Sequence, residues 1–221
     1  MANIPFQRDL PLRYDVDVFV AGGGPAGCAA AIAAARQGAK VFLSEEQACL
    51  GGLGTAGLVP AFMCFGDGEH FLAAALGKEI QERLWQYGGD AYEKSHTNSI
   101  KAECLKRVYE DMMLEAGADF TLHTQLTAVD CDGENIAHCV LAGKSGLYAV
   151  RAKVYIDCTG DADLAAWAGV PCDKGDEKGN MMAGTLCGLW SNIDFARKKG
   201  ADSARLEEAF GDGVFEKLDL H

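Results

Sequence analysis

The stretch "DVDVFVAGGGPAGCAAAIAAARQGAKVFLSE", residues 15–45, decides the fold class of this chain. Its first seven residues form an apolar run rich in Val, typical of a strand buried in a parallel sheet. Pro25 then opens an alanine-rich segment that stops at Gly38, as a helix does between an initial proline and a terminal glycine. A second apolar run, residues 39–45, completes a strand–helix–strand unit. The stretch therefore predicts an α/β fold with a parallel sheet.

The turn between the first strand and the helix carries glycines in the spacing G-x-G-x-x-G, at Gly22, Gly24 and Gly27. In this pattern the first glycine permits the tight turn, the second admits a pyrophosphate, and the third lets helix and strand pack closely. Glu45 stands about 20 residues further on, where an acid accepts hydrogen bonds from a ribose. The unit predicts a dinucleotide site for NAD or FAD. NADP is disfavoured because Glu45 would repel its 2′-phosphate.

The charge balance limits the partners of this chain. Its 221 residues carry 20 Lys and Arg against 32 Asp and Glu, for a net charge of −12, and no basic run. Nucleic acid and anionic membranes are therefore excluded as partners, because both need a cationic face. The nine cysteines lack C-x-x-C spacing, so we expect reduced thiols and no metal site. No signal peptide is visible, and we expect a cytoplasmic protein.

The pattern changes after the first unit. Residues 46–68 are rich in glycine and in large apolar side chains, so we expect a segment buried against a ligand or a second domain. Residues 69–116 carry apolar side chains at helical spacing and predict two amphipathic helices. A period of two over residues 125–152 predicts an antiparallel β-meander, which leads into a further buried strand. Such an interruption favours FAD over NAD, because an NAD-binding unit continues as βαβαβ.

A second junction, "YIDCTGDADLAAWAG" at residues 155–169, also reads as a strand, a sharp corner and a short helix. It lacks the G-x-G-x-x-G spacing, and no unit with a ribose acid follows it, so it is not a second dinucleotide site. Gly160 gives room to the backbone there, and we expect Asp161 to cap the following helix. The alternative is a plain strand-to-helix turn with an Asp cap.

Three blocks of the chain resemble the FAD-dependent oxidoreductases of the glutathione-reductase-like superfamily. The first is "YDVDVFVAGGGPAGCAAAIAAARQGAKVFLSEEQACLGGLGTAGLV", and the others are "LKRVYEDMMLEAGADFTLHT" and "VYIDCTGDADLAAWAGVP". The resemblance spans residues 14–190 and implies a Rossmann-like FAD-binding domain with a parallel sheet and a β-meander. We place that domain at residues 1–170, and residues 171–221 begin a second, substrate or cap domain that is apparently incomplete. The implied activity is hydride transfer between a small organic substrate and N5 of the flavin.

The resemblance also implies the residues that would meet FAD. Those at the pyrophosphate would be Gly22, Gly24, Pro25, Ala26 and Gly27. The adenosine ribose would bind Glu45, adenine would meet the backbone near Leu126, and the segment that runs toward the flavin would contain Gly51, Gly52 and Thr55. The corner Thr159, Gly160 and Asp161 would close on the cofactor from the neighbouring strand. A histidyl–FAD bond is not supported, because Ala48 and Cys49 stand where related covalent flavoproteins place a histidine.

No catalytic acid or base stands out. His96, in a polar loop, and Cys64, in the glycine-rich segment, are the weak candidates. Members of the resembled family are about twice as long, so we expect a fragment, a truncated relative, or half of a split enzyme with a partner chain that supplies the C-terminal part. Two other functions stay open: an NAD-binding dehydrogenase or reductase domain, and a non-catalytic FAD-binding subunit.

Overall fold

The computed structural model describes residues 4–5, 7–63, 65–67, 69–88, 98–182, 184–194 and 203–213. The strands are β1 (Leu12–Ala21), β2 (Val41–Ser44), β3 (Ala61–Phe62), β4 (Asn98–Ser99), β5 (Asp119–Thr121), β6 (Gln125–Asp132), β7 (Asn135–Gly143) and β8 (Gly146–Asp157). The helices are α1 (Pro25–Arg36), α2 (Leu76–Gln86), α3 (Ala102–Ala116), α4 (Asp163–Trp167) and α5 (Ser203–Gly211), with a 3₁₀ turn at Gly52–Gly54. His96 and Cys64 lie outside the described residues.

Two compact units divide the chain, residues 1–187 and 188–221. The first holds both sheets and four of the helices, and the second contains α5. The predicted domain boundary after residue 170 stays a prediction. Across the described residues, no helix is both long and apolar enough to cross a bilayer.

The main sheet joins a parallel half to an antiparallel half, in the order β5-β2-β1-β8-β7-β6. Strand β1 pairs in parallel with β2, where Val18 lies opposite Val41, and with β8, where Phe19 lies opposite Tyr155. Strand β8 also pairs antiparallel with β7, so one strand of 12 residues belongs to both halves. The predicted α/β class with a meander is confirmed. The strand of the second junction lies beside β1, as the resemblance implied.

Alternation along the central strands builds three layers. On one face, Val18 and Val20 of β1 join the apolar cluster formed with α1, α2 and α3. On the other face, Phe19 and Ala21 pack in a cluster with Leu141 and other residues of the meander. Successive side chains of a strand point to opposite faces. Both faces of β1 are therefore covered, which explains its continuous apolar run.

Helix α2 begins later than the sequence pattern predicts. The spacing includes Leu72, but this side chain is 65% exposed and the helix starts at Leu76. The reason is a turn held by Asp67, whose Oδ1 accepts hydrogen bonds from the backbone N–H groups of Glu69 (2.9 Å) and His70 (2.7 Å). Such side-chain bonds offer the backbone an alternative to helix. The helical spacing was therefore misleading over about the first two turns.

The glycine-rich segment and the strand that follows the meander are only partly buried. Leu50 is fully buried, as predicted for residues 46–68, but Leu53 is 69% exposed and Met63 is 74% exposed. In β8, Val154 is 51% exposed, because it lies outside the apolar cluster that the helices form over β1 and β2. The predicted buried strand at this position is therefore half-covered in the described structure.

The cysteines provide a chemical test of this fold. Cys28 and Cys139 are buried, and burial raises the pKa of each thiol to about 12, whereas Cys131 and Cys172 are exposed. Because the thiolate is the reactive form, we expect iodoacetamide at mildly alkaline pH to label the exposed pair in the native protein and spare the buried pair. Mass spectrometry of the tryptic peptides reads the result, with urea-unfolded protein as the control. Fast native labelling of Cys28 would contradict the layer arrangement.

Candidate functional site

A cleft of about 1220 Å³ lies at the carboxyl ends of β1, β2 and β8, within the first unit. Ligands of open α/β sheets bind outside the carboxyl ends of the strands. Most of the predicted cofactor residues line this cleft, namely Gly22, Gly24, Pro25, Ala26, Glu45, Gly52, Leu126, Thr159, Gly160 and Asp161. The remaining three, Gly27, Gly51 and Thr55, are buried behind its wall. Segments far apart in sequence therefore meet at one place.

Two glycines of the turn have no room for a side chain within the protein, and the third has room for one. Gly22 has a φ of 97°, and a Cβ there would overlap the backbone carbonyl of Cys158, the residue directly after β8. At Gly27 a Cβ would overlap the carbonyl oxygen of Gly22. At Gly24, in contrast, a Cβ would have no protein atom within 4 Å. Gly24 borders the cleft, so the space beside it belongs to the cleft and not to the packing of the chain.

The paired glycines are fastened to this turn. The backbone N–H of Gly51, which has a φ of 103°, donates to the carbonyl oxygen of Gly23 at 2.8 Å. A Cβ on Gly52 would come within 3.0 Å of the Cα of Gly24, so the two backbones touch. Thr55 is 1% exposed, and its hydroxyl donates to the carbonyl oxygen of Leu50 at 2.7 Å. The hydroxyl of Thr55 thus holds the segment in shape and does not face the cleft.

Glu45 binds two parts of the cleft wall together. Its carboxylate accepts hydrogen bonds from the backbone N–H of Gly23 (2.6 Å) and from that of Gln47 (2.7 Å). The residue is 6% exposed and still lines the cleft. Each carboxylate oxygen can accept a second hydrogen bond. Sequence spacing pointed to the ribose contact but gave no sign of this structural role.

The second corner is built around Asp157, the last residue of β8. The sequence patterns did not point to this residue. Its Oδ1 accepts from the backbone N–H (3.0 Å) and from the hydroxyl (2.8 Å) of Thr159, and its Oδ2 accepts from the backbone N–H of Ala165 at 2.8 Å. The hydroxyl oxygen of Thr159 in turn accepts from the backbone N–H of Asp163 at 2.9 Å. Asp157 and Thr159 therefore satisfy N–H groups at the start of α4 while they shape the corner.

The prediction that Asp161 caps α4 is wrong. Ala162 occupies the N-cap with a φ of 60°, and it makes no side-chain cap. Asp157 supplies the acceptor from before the corner, which leaves Asp161 on the lining of the cleft. Gly160 has a φ of 93°, so the corner contains two left-handed residues close together. The signal for this arrangement was an Asp at the strand end, six residues before the helix.

The cleft has an acidic lining without a basic side chain among its described residues. The carboxylates belong to Glu45, Glu46, Asp157, Asp161 and Asp163. Those of Glu45 and Asp157 are already bonded to backbone N–H groups. Helix α1 opens at the cleft with Pro25 in its first turn and no side-chain cap on its N-terminus. The first N–H groups of a helix have no partner within the helix and carry about half a positive charge. This end of α1 is therefore the feature of the cleft that fits a phosphate.

Apart from its carboxylates, the cleft offers little for acid–base catalysis among its described residues. Cys158 lines the cleft beside the corner, and burial raises the pKa of its thiol. His70 is exposed and pairs with Asp67 in the turn before α2. Leu126 is 8% exposed at the start of β6, on the same wall as Gln125. The arrangement can hold a long anionic ligand, and its chemistry must come from that ligand or from other groups.

Two solved structures share the fold of about 70% of this chain. A geranylgeranyl bacteriochlorophyll reductase-like protein from Thermoplasma acidophilum superposes with a TM-score of 0.53 at 19% identity, over 71% of this chain and 42% of that one. The p-nitrophenol 4-monooxygenase of Pseudomonas putida superposes with a TM-score of 0.54 at 16% identity, over 73% and 45% of the two chains.

Sequence comparison gives the family. A digeranylgeranylglycerophospholipid reductase from Methanocella arvoryzae is 26% identical in an alignment 180 residues long that covers 72% of this chain and 43% of that protein. The chain thus spans less than half the length of this curated relative. The family model described as FAD dependent oxidoreductase matches residues 17–213. The glycine turn, the second corner and this match over most of the sequence lead to one conclusion: the chain belongs to the FAD-dependent oxidoreductase family.

Proposed function

We propose that the cleft at the carboxyl ends of β1, β2 and β8 binds FAD, and that this chain is the cofactor-binding part of an enzyme acting on a small organic substrate. Bound FAD would supply the redox chemistry by exchanging a hydride with the substrate at N5 of the flavin. The observation that carries the proposal is the open space at Gly24. It lies at the end of α1, inside a turn whose other two glycines are fixed by contacts within the protein.

The pyrophosphate would lie at this end of α1. Gly22, Gly24, Pro25 and Ala26 line the space, and Gly27 lets the helix approach closely from behind. The backbone N–H groups of the first turn would face the phosphate oxygens, as they do in other anion sites at helix N-termini. Because no basic side chain is found among the described residues of the lining, backbone dipoles would provide most of the attraction.

The remaining contacts follow from the two walls of the cleft. The free acceptor positions on Glu45 would take the ribose hydroxyls, and the backbone near Leu126 would meet adenine. Thr159, Gly160 and Asp161 would close on the cofactor from the end of β8. The segment with Gly51, Gly52 and Thr55 would lead toward the flavin. The length of this ligand explains why two strand ends contribute, and it favours FAD over NAD.

The proposed enzyme needs a substrate site in addition to the cofactor cleft. We propose that the substrate site and any catalytic acid or base come from a C-terminal part or from a partner chain. The support is the 43% coverage of the curated relative and the lack of a histidine or lysine among the described residues of the cleft. The proposed compartment is the cytoplasm, in keeping with the eight described cysteines, which are free thiols.

The first test compares two cofactors. We expect the purified protein to retain FAD through desalting, with flavin absorbance bands, and to release NADH.

The acidic lining also predicts a salt dependence. FAD affinity should hold or rise as NaCl increases, because salt screens repulsion between the carboxylates and the pyrophosphate. Affinity that falls steeply with salt would point to basic side chains in the site.

The cofactor comparison has two contrary outcomes. A colourless protein that retains NADH would replace this proposal with a dehydrogenase domain. FAD retention only after a C-terminal partner is added would favour the non-catalytic subunit.

The glycine turn provides a matched pair of variants. In Gly24→Ala the new methyl meets no protein atom within 4 Å but occupies the pyrophosphate space. We expect the melting temperature of the protein without FAD to be unchanged. We expect FAD to bind at least about tenfold more weakly, which corresponds to about 1.4 kcal/mol. In Gly27→Ala the methyl overlaps a carbonyl, so we expect the melting temperature of the protein without FAD to fall by about 2–10 °C. Full FAD affinity in Gly24→Ala would place the pyrophosphate elsewhere.

The second corner is tested at Thr159. Thr159→Val removes the hydroxyl that donates to Asp157 and accepts from Asp163, whereas Thr159→Ser keeps both bonds. We expect the valine variant to bind FAD about tenfold more weakly, because binding must then order a corner that has lost bonds contributing about 1 kcal/mol each. We expect the serine variant to recover most of the affinity. Fluorescence quenching of FAD measures both. Equal affinities in the two variants would show that the corner does not touch the cofactor.

A further inference from the structure

A second cavity, of about 500 Å³, lies where β1 begins, β5 ends and the β7–β8 hairpin turns. Its lining contains three basic side chains, Arg13, His123 and Lys144, and no acidic one among the described residues. This is the reverse of the cofactor cleft, and it occurs in a chain of net charge −12. A volume of this size is typical of a small-molecule site. The charge of the lining favours an anion.

The guanidinium of Arg13 is held in place at the rim. Its Nη1 lies 3.4 Å from the hydroxyl of Ser145, and its Cζ lies 5.1 Å from the ring centroid of Tyr148 and 5.8 Å from that of Tyr14. Tyr148 is 3% exposed, and Tyr14 stacks on Phe42 at 3.6 Å, so both rings are fixed by the core. Aromatic faces orient a guanidinium and leave its planar N–H groups free for an oxyanion.

Under the floor of the cavity lies a polar atom without a partner. Oγ1 of Thr121, at the end of β5, is buried and has no hydrogen-bond partner among the described residues. Such atoms are rare in folded proteins, because leaving a buried hydroxyl unbonded costs free energy. Thr121 lines the cavity together with the apolar side chain of Leu122 and the ring of Tyr148. Because the hydroxyl lies beneath this surface, the part of the floor that a ligand would meet is apolar.

Backbone hydrogen bonds hold the wall between the two cavities. His123 has a φ of 49°, a conformation that is uncommon outside glycine, and its backbone N–H donates to the carbonyl oxygen of Gln47 at 3.0 Å. Thr124 lines both cavities, and its N–H donates to the carbonyl oxygen of Glu45 at 2.9 Å. Strained backbone of this kind collects at ligand sites. The second cavity is therefore a preformed space separate from the cofactor cleft.

We propose that this cavity binds a small phosphomonoester with an aromatic body. The phosphate would lie among Arg13, Lys144 and Ser145, and the ring would lie against Leu122 and Tyr148. A forked guanidinium, an ammonium and a hydroxyl together offer more donors than the two oxygens of a carboxylate need. The apolar floor would exclude water from the remainder of the ligand.

The test uses the protein with FAD added and 4-fluorophenyl phosphate as the probe, followed by ¹⁹F NMR. We expect this probe to bind at least about tenfold more tightly than neutral 4-fluorophenol, the ratio that one charge-assisted contact supplies. Arg13→Gln should remove about that factor. Lys78→Gln is the matched control, since Lys78 is exposed on α2 and does not line the cavity. Flavin absorbance should stay unchanged throughout.

A second variant removes dependence on Arg13 alone. Lys144→Gln deletes the second cation at the proposed phosphate position, so we expect weaker probe binding together with an unchanged melting temperature. The proposal is overturned if probe affinity is the same in Arg13→Gln as in the native protein, or if the probe displaces FAD. It is also overturned if 4-fluorophenol, 4-fluorobenzoate or inorganic phosphate binds as tightly as the phosphomonoester. Flavin absorbance follows FAD binding in every one of these experiments. A failure of the second site is therefore distinguishable from a failure of FAD binding in the main cleft.

Discussion

The four polar groups of Glu45 hold the cofactor end of the sheet together. Its backbone N–H donates to the carbonyl oxygen of Thr121 on β5, and its own carbonyl oxygen accepts from Thr124, both at 2.9 Å. Its carboxylate bonds to the N–H groups of Gly23 and Gln47. One residue thus joins β2, β5, the glycine turn and the start of the meander. A buried carboxylate is stable only when such donors replace water, so the turn and the acid depend on each other.

This dependence changes how the site is to be understood. An acid at this position is expected from the ribose contact alone, but here it also shapes the wall against which the ribose would lie. A substitution at Glu45 would remove the bonds to the glycine turn and to Gln47 at once, so weaker FAD binding in such a variant would have two causes. Gly24 has no such double role, because its missing side chain meets no protein atom within 4 Å. The open space at Gly24 is therefore the more direct mark of a ligand.

The sequence predicts the local parts of this fold well and the long-range parts poorly. β1, α1 and β2 end within a few residues of their predicted bounds, because Pro25 and the glycines of the turn act on their own neighbourhood. The cap of α4 was missed because Asp157 accepts from Ala165, eight residues later, across a corner with two left-handed residues. The start of α2 was missed because the turn at Asp67 replaces a helical turn whose apolar spacing looks correct. The pairing of β8 with β1 came from the resemblance to a family and not from any spacing.

The linings of the two cavities carry opposite charge, which the overall composition of the chain does not reveal. Arg13, His123 and Lys144 come from three separate strand ends, and only the folding of the meander over the sheet brings them to one lining. The acids of the cofactor cleft gather in the same way from the ends of β2 and β8. Backbone N–H groups at the start of α1 can attract a pyrophosphate despite acidic walls, because their effect is local to the first turn. Side-chain cations are then not needed in the cleft, and the basic groups on the far side of Thr124 are left for a different anion.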